Sequence, residues 1–173
     1  IGFTVAYNES RQNPSYAVYR LFKVVDPLSH DRPSSFTKDN RTQAQVVHDD
    51  YTNSGYDRGH VAPNYAIDTR YGQTAQVESF KMSNITPQLP YVNRTIIRLL
   101  EEKVAQDYAN DFQQVWVVTG TIFENSVETI ESGVEIPDAF YKLVVDIYEG
   151  SPRLLAFIIP HTADSSDLSL YLT

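Results

Sequence analysis

With 173 residues, 42% hydrophobic and 21% charged, the chain is long enough to bury a real core and has the composition of a globular protein. It has no cysteine, which excludes a disulfide scaffold, a thiol nucleophile and a thiolate metal site. The net charge of -8 argues against a uniformly basic nucleic-acid-binding surface, yet residues 1–60 balance seven Lys/Arg against seven Asp/Glu while residues 106–173 hold eleven acids against Lys142 and Arg153. A neutral or basic cleft on an acidic body suits sequence-independent contact with a phosphate backbone.

Residues 1–15 read as a polar lead-in with a turn at Asn13-Pro14. Tyr16 to Asp26, β-branched and aromatic and ending before Pro27, predicts a strand. Pro27 to Asp50 is polar and reads as a long loop carrying Arg32 and Arg41. Asp49 to Pro63 leads into the stretch with the densest chemistry, Tyr56-Asp57-Arg58-Gly59-His60-Val61-Ala62-Pro63-Asn64. Tyr71 to Glu78 predicts a short helix, Ser79 to Asn84 a short extended run, and Ile85 to Pro90, with two prolines, a loop. Tyr91 to Phe112 is the strongest helix signal. At about 100° per residue, Ile97, Leu100, Val104 and Tyr108 fall within roughly 60° of Asn93 and make one apolar face. Gln114 to Thr119 predicts a strand that Thr121 to Phe123 can continue. Phe140 to Tyr148 and Leu154 to Ile159 predict two strands of a hairpin turning at Glu149-Gly150-Ser151-Pro152. Past Pro160 the chain turns polar. No repeat or linker interrupts it, so one α+β domain over residues 1–173 is expected. No run of about 18 apolar residues exists to span a membrane, and no signal peptide is visible at Ile1.

The Asp57–Asn64 stretch combines groups suited to phosphodiester chemistry. Imidazole takes a proton from water near neutral pH, guanidinium clamps phosphate oxygens, and Gly59 permits close backbone approach or positive φ. A metal-dependent nuclease is the reading this supports, with the metal held elsewhere. Asn93, inside the apolar helix face, either satisfies backbone groups near the helix start or offers a neutral oxygen to Mg²⁺, which keeps most of its waters. Glu101 lies on the same flank at about 80° and Glu102 opposite at about 180°, so helix geometry prefers Glu101 as the residue that holds a metal-bound water. His30, His48 and His161 lack comparable surroundings and read as structural or surface. No Cys/His set has zinc spacing, and no Walker A loop, dinucleotide fingerprint or nucleophile elbow occurs.

In order, Asp57-Arg58-Gly59-His60 with Ala62-Pro63, Ser83-Asn84-Ile85-Thr86-Pro87-Gln88, Asn93, Leu100-Glu101, Val118-Thr119-Gly120, Ile136 to Lys142 and Ala156 to Pro160 resemble the DNA/RNA non-specific endonuclease family. That family belongs to the ββα-metal (His-Me finger) superfamily. The resemblance covers roughly residues 16–161, and the ordered combination is highly specific. It implies a mixed or antiparallel sheet with one long metal-site helix. It implies His60 as general base, Arg58 near the scissile phosphate and Asn84 orienting the site. Asn93 would be the direct ligand of a hydrated Mg²⁺, which Mn²⁺ or another divalent ion can replace, and Glu101 would hold the metal's waters. Arg32 matches an upstream arginine that neutralises transition-state charge, and Asp57 would shape the motif. The substrate would be DNA and RNA without sequence preference, cut to 5′-phosphate and 3′-hydroxyl ends. A homodimer and a protein inhibitor are compatible with the resemblance. Two departures stand out: Ile97 replaces a frequent aromatic, and Ala105 replaces an arginine of some relatives. Rival readings are a phosphodiesterase acting on small nucleotides and a catalytically silent binding relative. Asn-x-Ser/Thr triplets at Asn8, Asn40, Asn84 and Asn93 include two of these site residues. Glycans there would block catalysis, which favours a bacterial source, secreted or periplasmic.

Overall fold

A computed structural model describes residues 2–124 and 127–173. Its centre is an antiparallel sheet of β1 (Phe3–Asn8), β2 (Asn13–Phe22), β5 (Gln114–Ile122), β6 (Ala139–Tyr148) and β7 (Ser151–Pro160), ordered β1-β2-β5-β6-β7. A separate two-stranded ribbon pairs β3 (Asp57–His60) with β4 (Ile85–Gln88). Between the ribbon strands lie α1 (Asn64–Tyr71) and α2 (Gln73–Ser79). The long helix, residues 92–111, follows β4 closely. The α+β class expected from the sequence is the one observed.

Period-two alternation sets the inner face of the sheet. Ala17, Tyr19 and Leu21 of β2 and Val115 and Val117 of β5 are buried. They meet Val92, Ile96, Leu100, Val104 and Ala109 of the long helix and Ala66 and Ile67 of α1 in one core. A smaller core of Val46, Tyr51, Met82, Ile85, Ile130 and Val134 lies under the ribbon. Tyr148 pairs with Ser151, so the β6–β7 connection is the two-residue turn Glu149-Gly150. Their φ values of 50° and 78° are those the right-handed strand twist favours in a tight hairpin.

Several local expectations are corrected. The polar lead-in is strand β1, an edge strand whose register with β2 shifts between Ala6 and Tyr7. The strand expected at Tyr16 starts at Asn13 and stops at Phe22. The short helix expected over Tyr71 to Glu78 is α2, and α1 before it, unexpected from the sequence, is separated from it at Gly72, whose φ is +79°. The extended run before Ile85 ends instead in a 3₁₀ turn, Met82–Asn84. The proline-rich loop after it is β4. A two-stranded ribbon leaves each strand one free edge, which accepts Pro87 opposite Arg58.

The long helix is helical throughout its predicted span but not uniform. Val92–Ile97 and Lys103–Tyr108 are π-helical, with Arg98–Glu102 and Ala109–Asp111 α-helical. The wider i→i+5 turns rotate side chains back relative to an ideal α-helix. Ala105 and Ala109, which a strict 100° step places away from the core, are therefore buried with Leu100 and Val104.

Candidate active site

The ribbon and the long helix converge on one cleft of about 660 Å³. Arg32, Arg58, His60, Asn64, Asn93 and Glu101 are among the residues that line it. Each reaches the cleft for a local reason. Strand β3 presents Arg58 and His60 two residues apart on one face. Gly59 between them is required by close approach, not by positive φ. A Cβ there would lie 2.1 Å from the Gln88 side chain on β4.

His60 is half-buried, with its ring 5.2 Å from that of Phe36 and 4.8 Å, edge-on, from that of Phe80. Burial, aided by the Arg32 charge, pushes its pKa down to about 3, so the imidazole is neutral at physiological pH. Its Nε2 is buried and has no hydrogen-bond partner among the described residues. The neutral ring keeps one nitrogen without a proton, the acceptor that a general base requires.

Asn93 enters the cleft from the first π-helical stretch. Its Nδ2 donates to Asp57 Oδ2 at 2.9 Å, which leaves Oδ1 as the end of the amide free to meet a cation. Asp57 also takes Arg94 Nε at 2.7 Å and Nη2 at 2.6 Å. Burial raises the Asp57 pKa, but Arg94 and Asn93 outweigh it and keep the carboxyl below its ordinary value. Glu101 lies two turns on, half-buried, and burial raises it to about 7 against the opposing pull of Lys142. Glu102 also borders the cleft, where it is ion-paired to Arg98 at 2.6 Å. Both acids therefore border the cleft, and they differ in that Glu102 is ion-paired and about 42% exposed in its side chain while Glu101 has no ion pair among the described residues. Among the described residues no group of three or more His, Asp or Glu forms a metal cage. The donors present fit a hydrated hard cation held by an amide oxygen and water.

The arginines are placed differently from one another. Arg58 donates through Nε and Nη2 to His48 O at 2.9 and 2.6 Å, and through Nη2 to Thr52 Oγ1 at 2.9 Å, so much of its donor capacity is spent on the turn beneath β3. Arg32 is exposed, its guanidinium 5.1 Å from the Phe80 ring centroid. Its loop is tied down next door, because buried Asp68 of α1 accepts from His30 N at 2.7 Å, His30 Nδ1 at 2.8 Å and Ser29 Oγ at 3.3 Å.

Asn84 does not line the cleft. It is fully buried behind His60, where Oδ1 accepts from Ala62 N at 2.8 Å and Nδ2 donates to Ala62 O and Ser79 O, both at 2.9 Å. It staples the chain leaving β3 to the turn entering β4. His161, read as structural, is buried and bonded at both nitrogens, accepting from Leu89 N at 2.8 Å and donating to Pro137 O at 2.6 Å. Sequence reasoning passed over Asp68 and Lys142. Lys142 had a signal: it occupies an inward position between the apolar Phe140 and Val144, on the same face as Asp146.

Comparison with known proteins bears on the whole chain. It is 28% identical to the mitochondrial nuclease EXOG of Xenopus laevis over 98% of its length, and 29% identical to human mitochondrial endonuclease G over 75%. The matched regions are 51% and 48% of those proteins, so the chain spans about half the length of the curated relatives it matches. The fold superposes on that of EndoG in an EndoG/EndoGI complex, with a TM-score of 0.87 and 24% identity over 99% of this chain and 77% of that one. Further relatives from Saccharomyces cerevisiae and Schizosaccharomyces pombe are also mitochondrial nucleases. These names overturn the secreted or periplasmic bacterial source inferred from the glycosylation triplets, a signal that arises readily by chance in short motifs. The family model described as DNA/RNA non-specific endonuclease matches residues 1–172, and the chain belongs to that family.

Proposed function

We propose that this chain is a divalent-metal-dependent endonuclease that hydrolyses DNA and RNA without sequence preference, with His60 as general base. One observation carries the reading. A neutral His60 with an Nε2 unpartnered among the described residues and an Asn93 amide held by Asp57 line a single cleft with Arg32 and Arg58. Asn93 Oδ1 would hold a hydrated Mg²⁺ and Glu101 its waters, and the ion when bound supplies charge stabilisation for the phosphate and the leaving 3′ oxygen.

The protein's own groups do the rest. His60 accepts a proton from the water that attacks phosphorus. A phosphate anion in the cleft favours imidazolium and raises the depressed pKa of His60 toward the working range of a base. Arg32, exposed at the cleft edge, neutralises charge that grows on the phosphate. Arg58, mostly engaged by His48 and Thr52, contributes through its fixed positive charge and its remaining donor. Asn84 acts at a distance by fixing the backbone after His60. Cleavage on the 3′-oxygen side leaves 5′-phosphate and 3′-hydroxyl ends. The EndoG neighbour is solved with EndoGI in a study of EndoG inhibition, which supports control of this chain by a protein inhibitor.

Removing a general base typically costs about 10²–10⁴-fold in rate. His60→Ala should lose plasmid and RNA cleavage to that extent while remaining folded by circular dichroism, and EDTA should abolish the activity of the unaltered protein. Near-normal cleavage by His60→Ala would refute the base assignment.

A further inference from the structure

Lys142 lies on the inner face of β6, only 4% exposed. A buried ammonium is costly without a close partner. None of the ion pairs among the described residues includes it. Its side-chain hydrogen bond is a single one, to Tyr19 Oη at 3.3 Å. An ammonium has three donors, so capacity remains. Nearby, Gln88 Oε1 is buried with no partner among the described residues. Lys142 and Gln88 line, with Glu101 and His60, one small space of about 20 Å³ beside the cleft. A space of that size holds one water molecule, and a water is kept where two to four polar groups converge.

We propose that Lys142 is a positioning residue for Glu101, acting through one buried water that it shares with Gln88. The valences close. The water accepts a proton from Lys142 Nζ and donates its two hydrogens to Gln88 Oε1 and the Glu101 carboxylate. Gln88 is itself fixed by the ribbon, because it pairs with Asp57 and fills the space beside Gly59. The arrangement ties the far end of the cleft to the ribbon that carries His60 and Asp57, the partner of the Asn93 amide. It orients a half-buried carboxylate that has no other hydrogen-bond donor among the described residues, and the nearby ammonium favours its ionised form, as the downward pull of Lys142 on Glu101 indicates. A lysine kept only for stability behaves otherwise, since replacing a buried charge by an apolar side chain is often neutral or stabilising.

The role of Glu101 in this inference rests on the function proposed above, and the test separates the two. Lys142→Met, Glu101→Gln and the double variant are compared on duplex DNA for kcat, KM and the Mg²⁺ concentration giving half-maximal rate, with melting temperature as control. Lys142→Met should lower kcat by about 10–100-fold, as losses of outer-shell partners do, with KM for DNA little changed and a higher Mg²⁺ requirement. The double variant should be no slower than Glu101→Gln alone. Unchanged kcat and Mg²⁺ dependence in Lys142→Met, or losses that multiply in the double variant, would overturn the positioning role alone. A fully active Glu101→Gln would overturn the reading of the site itself. Should Lys142→Met not fold, a crystal structure of the unaltered protein decides: a single ordered water touching Lys142, Gln88 and Glu101 is expected, and a dry cavity ends the proposal.

Discussion

Glu101 and His60 are both pushed toward their neutral forms by burial, with opposite consequences for stability. The folded-state pKa of Glu101 is raised from 4.5 to about 7, so its contribution to stability is complete below 4.5 and is lost as pH rises through 7. His60 is lowered from 6.5 to about 3, so its contribution is complete above 6.5 and is lost as pH falls toward 3. Between 4.5 and 6.5 the two slopes oppose each other. Glu101→Gln removes one of them. In metal-free buffer that variant should be more stable than the unaltered protein at pH 8, by on the order of 1–3 kcal/mol, and gain little at pH 5. Urea melts at the two pH values measure it, and an equal difference at both would sink the account. His60→Gln should correspondingly flatten the acid-side loss below pH 6.5. The same residues that would serve catalysis therefore cost stability when the cleft is empty of metal and substrate, a trade common at active sites.

The ribbon is the element on which the site depends, and its weak point is Asn84. The side chain satisfies Ala62 N, Ala62 O and Ser79 O, and Asn84, Ala62 and Ser79 are all fully buried. Asn84→Ala should cost about 2–4 kcal/mol by leaving buried polar groups unpaired, and should lower cleavage although Asn84 does not line the cleft. Denaturant midpoints and rates read both effects, and a variant with normal stability but no activity would point instead to direct contact with substrate. Little of this element was legible in the chain. Pro87 and Pro90 read as a loop because proline cannot donate to a ladder, yet a ribbon with one open side tolerates Pro87. The long helix was legible because its apolar spacing is local. Its π-helical stretches were not, because they arise from how the helix seats on the sheet.

At the scale of the molecule, charge and apolar surface are segregated. The cleft gathers Arg32, Arg58, Arg94 and Arg98 on a chain whose net charge is -8. Backbone binding through such a patch releases counterions, so the rate at low DNA concentration should fall steeply between about 50 and 200 mM NaCl, and Arg32→Ala should reduce the slope of log rate against log salt by about one. A salt-independent rate would speak against phosphate contact as the basis of recognition. Opposite the cores, the outer face of the sheet is also apolar. Register aligns Val18, Val118, Leu143 and Ala156 in one row and Arg20, Trp116, Val145 and Leu154 in the next. Trp116, Leu154 and Ile158 on this face are each more than 40% exposed. Antiparallel sheets more often alternate apolar with polar, so this face departs from the usual pattern.

The sequence by itself determined the family, the strands β5 to β7 and the extent of the long helix, and it named His60, Asn93 and Glu101 as candidates. Those depend on motif order and on short-range periodicity, which the chain carries residue by residue. Tertiary structure alone decided that Gly59 is present for the Gln88 side chain, that Asp57 holds the Asn93 amide, that Asn84 stands behind the cleft, and that Lys142 lies beside Glu101. Each of these joins residues more than twenty positions apart, and nothing in local spacing encodes which distant atoms folding will bring within hydrogen-bond reach.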